Sequence, residues 1–335
     1  MPTPAPSPAR APAAAAADWR IARRDFLRAS TASLGGLALG ALVPHPLARA
    51  AAAANGAPTA PTTPAAPRAP LRFGLLTDPH YADADAKGTR FYRESLGKVR
   101  AAVTQLRAER AAFLGVLGDV KDMAAGEPET RTLAHLVAIE AEIQRFAGPT
   151  YHVLGNHDMD NLSKPQFVAH VTNTGIAAGR SYYAFSSGGV RFVVLDATYD
   201  KNGRDYDHGK FDWRDANLPA AQLDWLATEL AATREPVIVF VHQRLDGEGD
   251  ASIRNRTAAR ALLEASGKVL AVFQGHDHAG GHSLINGIHY YTLRAVVEGT
   301  GETSNAFALV EVAANLDLTV TGYHRAVSLT LPRRG

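Results

Sequence analysis

Leu71-Arg72-Phe73-Gly74-Leu75-Leu76-Thr77-Asp78-Pro79-His80 sets the architecture, because an apolar run of strand length ends directly on a carboxylate and an imidazole. Neighbouring Leu75 and Leu76 lie on opposite faces of any strand, so residues 71–77 are expected to be covered on both sides. A strand of that kind belongs to a layered α/β or β-sandwich scaffold, which presents its loops at the strand ends. The same device recurs down the chain. Gly118-Asp119-Val120-Lys121-Asp122 follows the apolar run 113–117, and Gly155-Asn156-His157-Asp158 follows 150–154. His242 follows 236–241, and Gly275-His276-Asp277-His278 follows 269–273.

Helices are expected between these strands. Residues 91–110 carry Leu96, Val99, Val103 and Leu106 on one stripe, and similar segments cover 133–146, 222–230 and 258–265. Gly188-Gly189, between 182–186 and 191–195, reads as a hairpin turn. The last third alternates strands at 288–293, 306–312 and 316–323. Strands interleaved with helices, followed by a run of strands, predict an α/β fold of two packed sheets with helices outside.

The 335 residues are 46% hydrophobic and 20% charged, enough apolar material for a sizeable core. A net charge of +2 offers no cationic field, so no nucleic acid polymer is expected as a partner. Cysteine is absent, which leaves oxygen and imidazole nitrogen as the available metal ligands. Arg23-Arg24-Asp25-Phe26-Leu27 precedes an apolar stretch at 32–43 and then Ala48-Arg49-Ala50. Paired arginines, an apolar segment and a small-residue cleavage pattern describe a twin-arginine signal. Residues 1–50 are therefore expected to be a signal peptide that engages the twin-arginine export machinery, and the mature protein to be periplasmic or extracellular. The apolar stretch is shorter than the roughly 18–20 residues a membrane span needs, so no stable membrane anchor is expected. Ala, Pro and Thr dominate 51–70, a tether; 71–327 is the expected folded domain and 328–335 a tail.

The loop residues define a chemistry. Asp78 and Asp119 offer carboxylates, Asn156 an amide oxygen, and His80, His242, His276 and His278 imidazoles. This mixed set suits Mn, Fe, Zn or Co better than Ca or Mg. It is too large for one transition metal and right for two that share a carboxylate, with Asp119, central in the order, as the natural bridge. Asp78, His80 and His278 are assigned with Asp119 to one ion, and Asn156, His242 and His276 with Asp119 to the other; spacing alone leaves that partition open. Two divalent ions, the carboxylates and a bridging hydroxide leave about +1, matched to an anionic phosphoryl group. No Ser elbow or Cys is present to act as a protein nucleophile. His157 is assigned to the leaving oxygen, with Asp158 fixing its tautomer and Asp122 holding a ligand or His157 from behind. Arg244, close after His242, and Tyr81, after His80, are the candidate substrate contacts, one for phosphate and one for stacking.

Together, Asp78-x-His80, Gly118-Asp119-x-x-Asp122, Gly155-Asn156-His157-Asp158, His242 and Gly275-His276-x-His278 resemble the calcineurin-like metallophosphoesterases across nearly all of 71–323. The resemblance implies a four-layer αββα sandwich, two sheets flanked by helices, with a dimetal site at the strand ends. It also supports the ligand partition and the role given to His157. A narrower likeness rests on Asp78-Pro79-His80-Tyr81-Ala82-Asp83, Tyr92-Arg93-Glu94-Ser95-Leu96 and Gly280-Gly281 after His278. That pattern is similar to the manganese-dependent ADP-ribose/CDP-alcohol diphosphatases, which implies manganese as the favoured metal and small phosphoanhydrides or phosphodiesters as substrates. Asp158 stands where that branch usually has Glu, and residues 244–256 depart from it. The expectation is an exported dimetal phosphoesterase that cleaves phosphodiester, pyrophosphate or monoester bonds of small, nucleotide-derived molecules with metal-bound hydroxide. A broad alkaline phosphomonoesterase is the nearest rival, and an inactive binding protein on the same fold the remoter one.

Overall fold

The computed structural model describes residues 69–334, so the expected signal peptide and nearly all of the expected tether lie outside the described residues. The described strands are β1 (Leu71–Leu76), β2 (Leu114–Val116), β3 (Thr150–His152), β4 (Tyr183–Ser187), β5 (Val190–Val194) and β6 (Val237–Phe240). They continue as β7 (Val269–Gln274), β8 (Gly281–Ile285), β9 (Ile288–Thr292), β10 (Ala306–Val312), β11 (Leu318–His324) and β12 (Leu329–Leu331). The helices are α1 (Ser95–Ala108), α2 (Glu129–Gln144), α3 (Lys164–His170), α4 (Ala220–Ala232) and α5 (Arg256–Ser266). None of the described helices is long and apolar enough to cross a membrane.

Two six-stranded sheets form, in the orders β12-β11-β10-β1-β2-β3 and β4-β5-β6-β7-β9-β8. Within the first, β1, β2 and β3 are parallel; within the second, β5, β6, β7 and β9 are parallel. Period-2 alternation sorts their side chains into layers. Phe73 and Leu75 of β1 join Phe192 of β5, Phe240 of β6 and Phe273 of β7 in the core between the sheets. Phe73 stacks on Phe113 with centroids 5.0 Å apart and meets Phe192 edge-on at 5.2 Å. On the outer face of the first sheet, Leu76, Leu114 and Val116 pack against Val99, Val103 and Leu106 of α1 and Leu136, Ile139 and Ile143 of α2. Gly74 allows this approach, since a Cβ there would sit 2.7 Å from Leu106. On the outer face of the second sheet, Val193, Val239 and Val272 pack against Leu226 and Leu230 of α4 and Ala259 and Leu263 of α5. The four-layer αββα arrangement is thus present.

Three elements escaped the sequence pattern. Helix α3 is only 7 residues long, and a capping box between Ser163 and Gln166 sets its start. Strand β8 pairs with β9 at the edge of its sheet and is largely exposed, so it lacks an apolar signature. Strand β12 pairs with β11, which carries the sheet to Leu331 and past the expected domain end at Val327. The Gly188-Gly189 turn is as expected, with φ of 53° and 72°, left-handed values that glycine adopts at no steric cost.

Candidate metal centre and its cleft

Strands β1, β2, β3, β6 and β7 deliver the ligand loops from their C-terminal ends. Asp78, His80, Asp119 and His276 leave the strand direction with φ of 52°, 46°, 50° and 67°. Left-handed backbone costs an L-residue roughly 1–2 kcal/mol, and strain of this kind gathers where a side chain must be aimed. Here the sharp turn brings Asp78 and His80 to the same side. Hydrogen bonds from Asp78 N to Gly118 O (3.0 Å) and from His80 N to Asp119 O (2.9 Å) hold it. Gly155 and Gly275 let the loops press together: a Cβ on Gly155 would overlap Asp119, and one on Gly275 would overlap Thr77 and Asp78.

Among the described residues, donor atoms lie within 4.8 Å of one another in four groups: Asp78–His80–His278 and Asp119–His242–His276, which match the expected ligands, and His80–Asp119–His157 and Asp122–His157–Asp160, which both include His157. His80 Nε2 lies 3.1 Å from His278 Nε2 and 3.5 Å from Asp78 Oδ1. One oxygen faces both of the expected ligand groups: Asp119 Oδ2 is 3.4 Å from His80 Nε2 and 3.1 Å from His242 Nε2. The other oxygen of Asp119 accepts the His157 backbone N–H at 2.7 Å. Each of three ligand imidazoles is tied at its far nitrogen, which fixes ring orientation and directs Nε2 inward. His242 Nδ1–H donates to Leu117 O (2.7 Å), His80 Nδ1 pairs with Asp122 Oδ2 (3.1 Å), and His278 Nδ1 pairs with Glu298 Oε1 (2.6 Å). Asp78 Oδ2 takes the Thr77 hydroxyl (2.6 Å) and His276 N–H (3.1 Å), leaving Oδ1 free.

Asp78 Oδ1 and Asn156 Oδ1 are buried without a hydrogen-bond partner, and buried His242 Nε2 faces the Asp119 carboxylate, 3.1 Å away. A buried polar atom left unpaired costs about 1–3 kcal/mol, so two unpaired oxygens of ligating type beside these clusters are donors that a cation would complete. The residues fit two transition metal ions, and the two donor groups, with Asp119 Oδ2 facing both, are compatible with the partition expected from the sequence.

The family model for calcineurin-like phosphoesterases matches residues 71–280. The chain belongs to this family. A manganese-dependent ADP-ribose/CDP-alcohol diphosphatase from Oryza sativa subsp. japonica is 31% identical over 285 residues, covering 72% of this chain and 87% of the relative. One of the same description from Danio rerio is 30% identical, covering 70% of this chain and 90% of the relative. The crystal structure of a dimetal phosphatase from Danio rerio matches with a TM-score of 0.68 at 26% identity, over 79% of this chain and 99% of that one. The protein is therefore a metal-dependent phosphoesterase, and its clustered donors are of the kind and number that would hold two transition metal ions.

The electrostatics of the phosphoesterase site show how the ligand set is kept ready. Burial opposes ionisation of Asp119, yet the imidazoles of His242, His157 and His80 outweigh it and hold the carboxyl well below its usual range. Burial likewise opposes charge on His242, but Asp119 and Asp78 prevail and raise its pKa to about 9. His276 goes the other way, lowered to about 3 by burial and then by His242. A cation needs neutral imidazole, so the ions displace protons from His242 and from His80, which is also raised. At neutral pH, metal uptake is expected to release protons. Affinity should rise with pH through about 9, the range in which His242 gives up its proton unaided. Calorimetry in buffers of different ionisation enthalpy measures that release; uptake with no net proton change between pH 6 and 8 would contradict it.

Not every expected contact is where the sequence put it. Asp122 does hold ligand His80, and its Oδ2 lies 3.6 Å from His157 Nδ1. Asp158 does not pair with the His157 ring. It accepts backbone N–H groups of Val120 (2.7 Å), Lys121 (3.3 Å) and Gly155 (2.8 Å), and so braces two ligand loops. Fully buried Lys121 adds a bond from Nζ to the His157 carbonyl. The partner of His157 Nδ1 is Asp160, at 2.6 Å. Residues His157–Met159 form a 3₁₀ turn, in which side chains three apart eclipse, so Asp160 lies over His157 while Asp158 points away.

Arg244 is likewise occupied: Nη1 bonds Asp277 Oδ2 (2.8 Å) and Nε bonds Asp246 Oδ1 (3.1 Å), so its charge is spent bracing the His276–His278 loop. Tyr81 packs edge-on to His135, with centroids 5.7 Å apart, against the core under α1 and α2 rather than into the cleft. Two residues missed in the sequence line the cleft instead. A cavity of about 730 Å³ over the donors includes Asp119, Asn156, His157, His276, Trp213 and Arg90. Trp213 is partly exposed, with its ring centroid 5.6 Å from that of His276. A second cavity of about 660 Å³ includes Lys87, Tyr92, Asp122, Asp160 and, again, Arg90 and His157. Arg90 reaches the site from the loop before α1, outside every ligand motif.

Proposed function

We propose that the enzyme hydrolyses pyrophosphate or phosphodiester bonds in small, nucleotide-derived molecules. The observation that carries this reading is the double cleft: two cavities meet at Arg90 and His157, one over the donors and one beyond them. A monoester needs room on one side of phosphorus, whereas an anhydride or diester carries a group on both. The similarity to ADP-ribose/CDP-alcohol diphosphatases supports the same class.

Two cations held by Asp78, His80, Asp119, Asn156, His242, His276 and His278 would neutralise phosphoryl charge and lower the pKa of water enough to supply hydroxide near neutral pH. The chain supplies the rest. Asp119 holds the two clusters in register, and Asn156 with the four imidazoles fixes their geometry. His157, with Nδ1 engaged, has Nε2 left for the cleft and gives its proton to the departing oxygen. Arg90, a guanidinium at the join, binds the phosphoryl group that does not react. The paired Arg23-Arg24 ahead of an apolar stretch support export by the twin-arginine route, which fractionation of the source cell checks.

The manganese-loaded enzyme is expected to favour bis-p-nitrophenyl phosphate and a nucleoside diphosphate sugar over p-nitrophenyl phosphate. Arg90→Ala should raise KM for the diphosphate roughly tenfold or more, as loss of a charge-assisted bond predicts, with a smaller change in kcat. A preference for the monoester would turn the reading towards a phosphomonoesterase.

A further inference from the structure

We propose that Asp160 is the positioning residue of the leaving-group proton donor, the part that adjacency in sequence gave to Asp158; this rests on the phosphoesterase reading above. Three carboxylates surround His157, and two are committed elsewhere. Asp158 is buried and saturated by the N–H groups of Val120, Lys121 and Gly155. Asp122 Oδ2 sits 3.1 Å from the Nδ1 of ligand His80 and 3.6 Å from that of His157, so its geometry favours the ligand. Asp160 Oδ2 alone makes a short bond to His157 Nδ1, at 2.6 Å.

The consequence is directional. A carboxylate accepting from Nδ1–H sets the ring plane and leaves Nε2 as the one ring nitrogen free for substrate. Without it the ring can turn towards Asp122, which is the contact that orients His80. In the reaction the bond from phosphorus to the leaving oxygen breaks, that oxygen takes the Nε2 proton, and water supplies the new oxygen on phosphorus. Asp160 stays a carboxylate throughout, and solvent returns the proton to His157. Asp160 lines the second cavity and is 24% exposed, so its side chain can be replaced without opening the core.

The test compares Asp160→Ala, Asp160→Asn, His157→Ala and the double Ala variant on bis-p-nitrophenyl phosphate and diphenyl phosphate. Diphenyl phosphate has the poorer leaving group and depends more on proton donation. Asp160→Ala should lower kcat about 10-fold or more, with KM nearly unchanged and a larger fall on diphenyl phosphate. Asp160→Asn, which can still accept from Nδ1–H, should recover part of it. In the His157→Ala background, loss of Asp160 should cost nothing further, the mark of a residue that acts through another. Equal costs in both backgrounds overturn the proposal. A readout that needs no turnover separates this from failure of the phosphoesterase reading: in zinc-loaded protein the His157 Nδ1–H proton should resonate far downfield, and Asp160→Ala should abolish that signal. Its survival in Asp160→Ala also overturns the proposal, whereas a wild-type enzyme inert towards every phosphoester, yet showing the signal, sinks only the activity.

Discussion

Asp119→Ala is expected to abolish turnover, with a fall of roughly 10⁴-fold or more, and to reduce metal content below two ions per chain. The size follows from position. Asp119 Oδ2 is within 3.4 Å of His80 Nε2 and 3.1 Å of His242 Nε2, so its removal takes a ligand from both ions together. It also strips the buried imidazoles of the charge that balances them, and breaking a buried pair by deleting one partner costs about 3–5 kcal/mol. The thermal midpoint should drop with the activity. Elemental analysis and bis-p-nitrophenyl phosphate turnover of the purified variant decide the matter; two tightly held ions with a tenth of normal activity would refute the bridging assignment.

His157→Ala should behave differently. A fall in kcat of roughly 10²–10⁴ is expected while both ions stay bound. The ring contacts acids outside the ligand set, and what His157 gives the centre is its backbone N–H to Asp119 Oδ1 at 2.7 Å. Alanine keeps that bond. Loss of metal together with activity would show that the imidazole is a ligand and that the proton comes from another group.

The comparison of these two residues marks how far the sequence could be read. Ligands such as Asp78, Asp119 and His276 follow buried strands directly, so strand and ligand are recorded side by side in the chain. The hairpin at Gly188-Gly189 and the inner strands were legible for the same local reason. What tunes the ligands is not local. Glu298 reaches His278 across 20 residues, and Arg90 enters the cleft from a loop whose neighbours are unremarkable in composition. Asp158 is adjacent to His157 in the chain but turned away from its ring, so adjacency is a poor guide to contact here. The spacing H-x-x-D, three apart on a 3₁₀ turn, carried the information that pointed to Asp160. Arg244 has Asp246 and Asp277 within reach, and both carboxylates claim its guanidinium before a substrate can.

One feature of the architecture reaches beyond catalysis. Asp78, His80, Asp119 and Asn156 hang from one sheet, while His242, His276 and His278 hang from the other. In the assigned partition each ion would draw donors from both layers. Cation binding and cohesion of the sandwich are therefore thermodynamically linked: whatever free energy the ions release on binding is added to the work of prising the two halves apart.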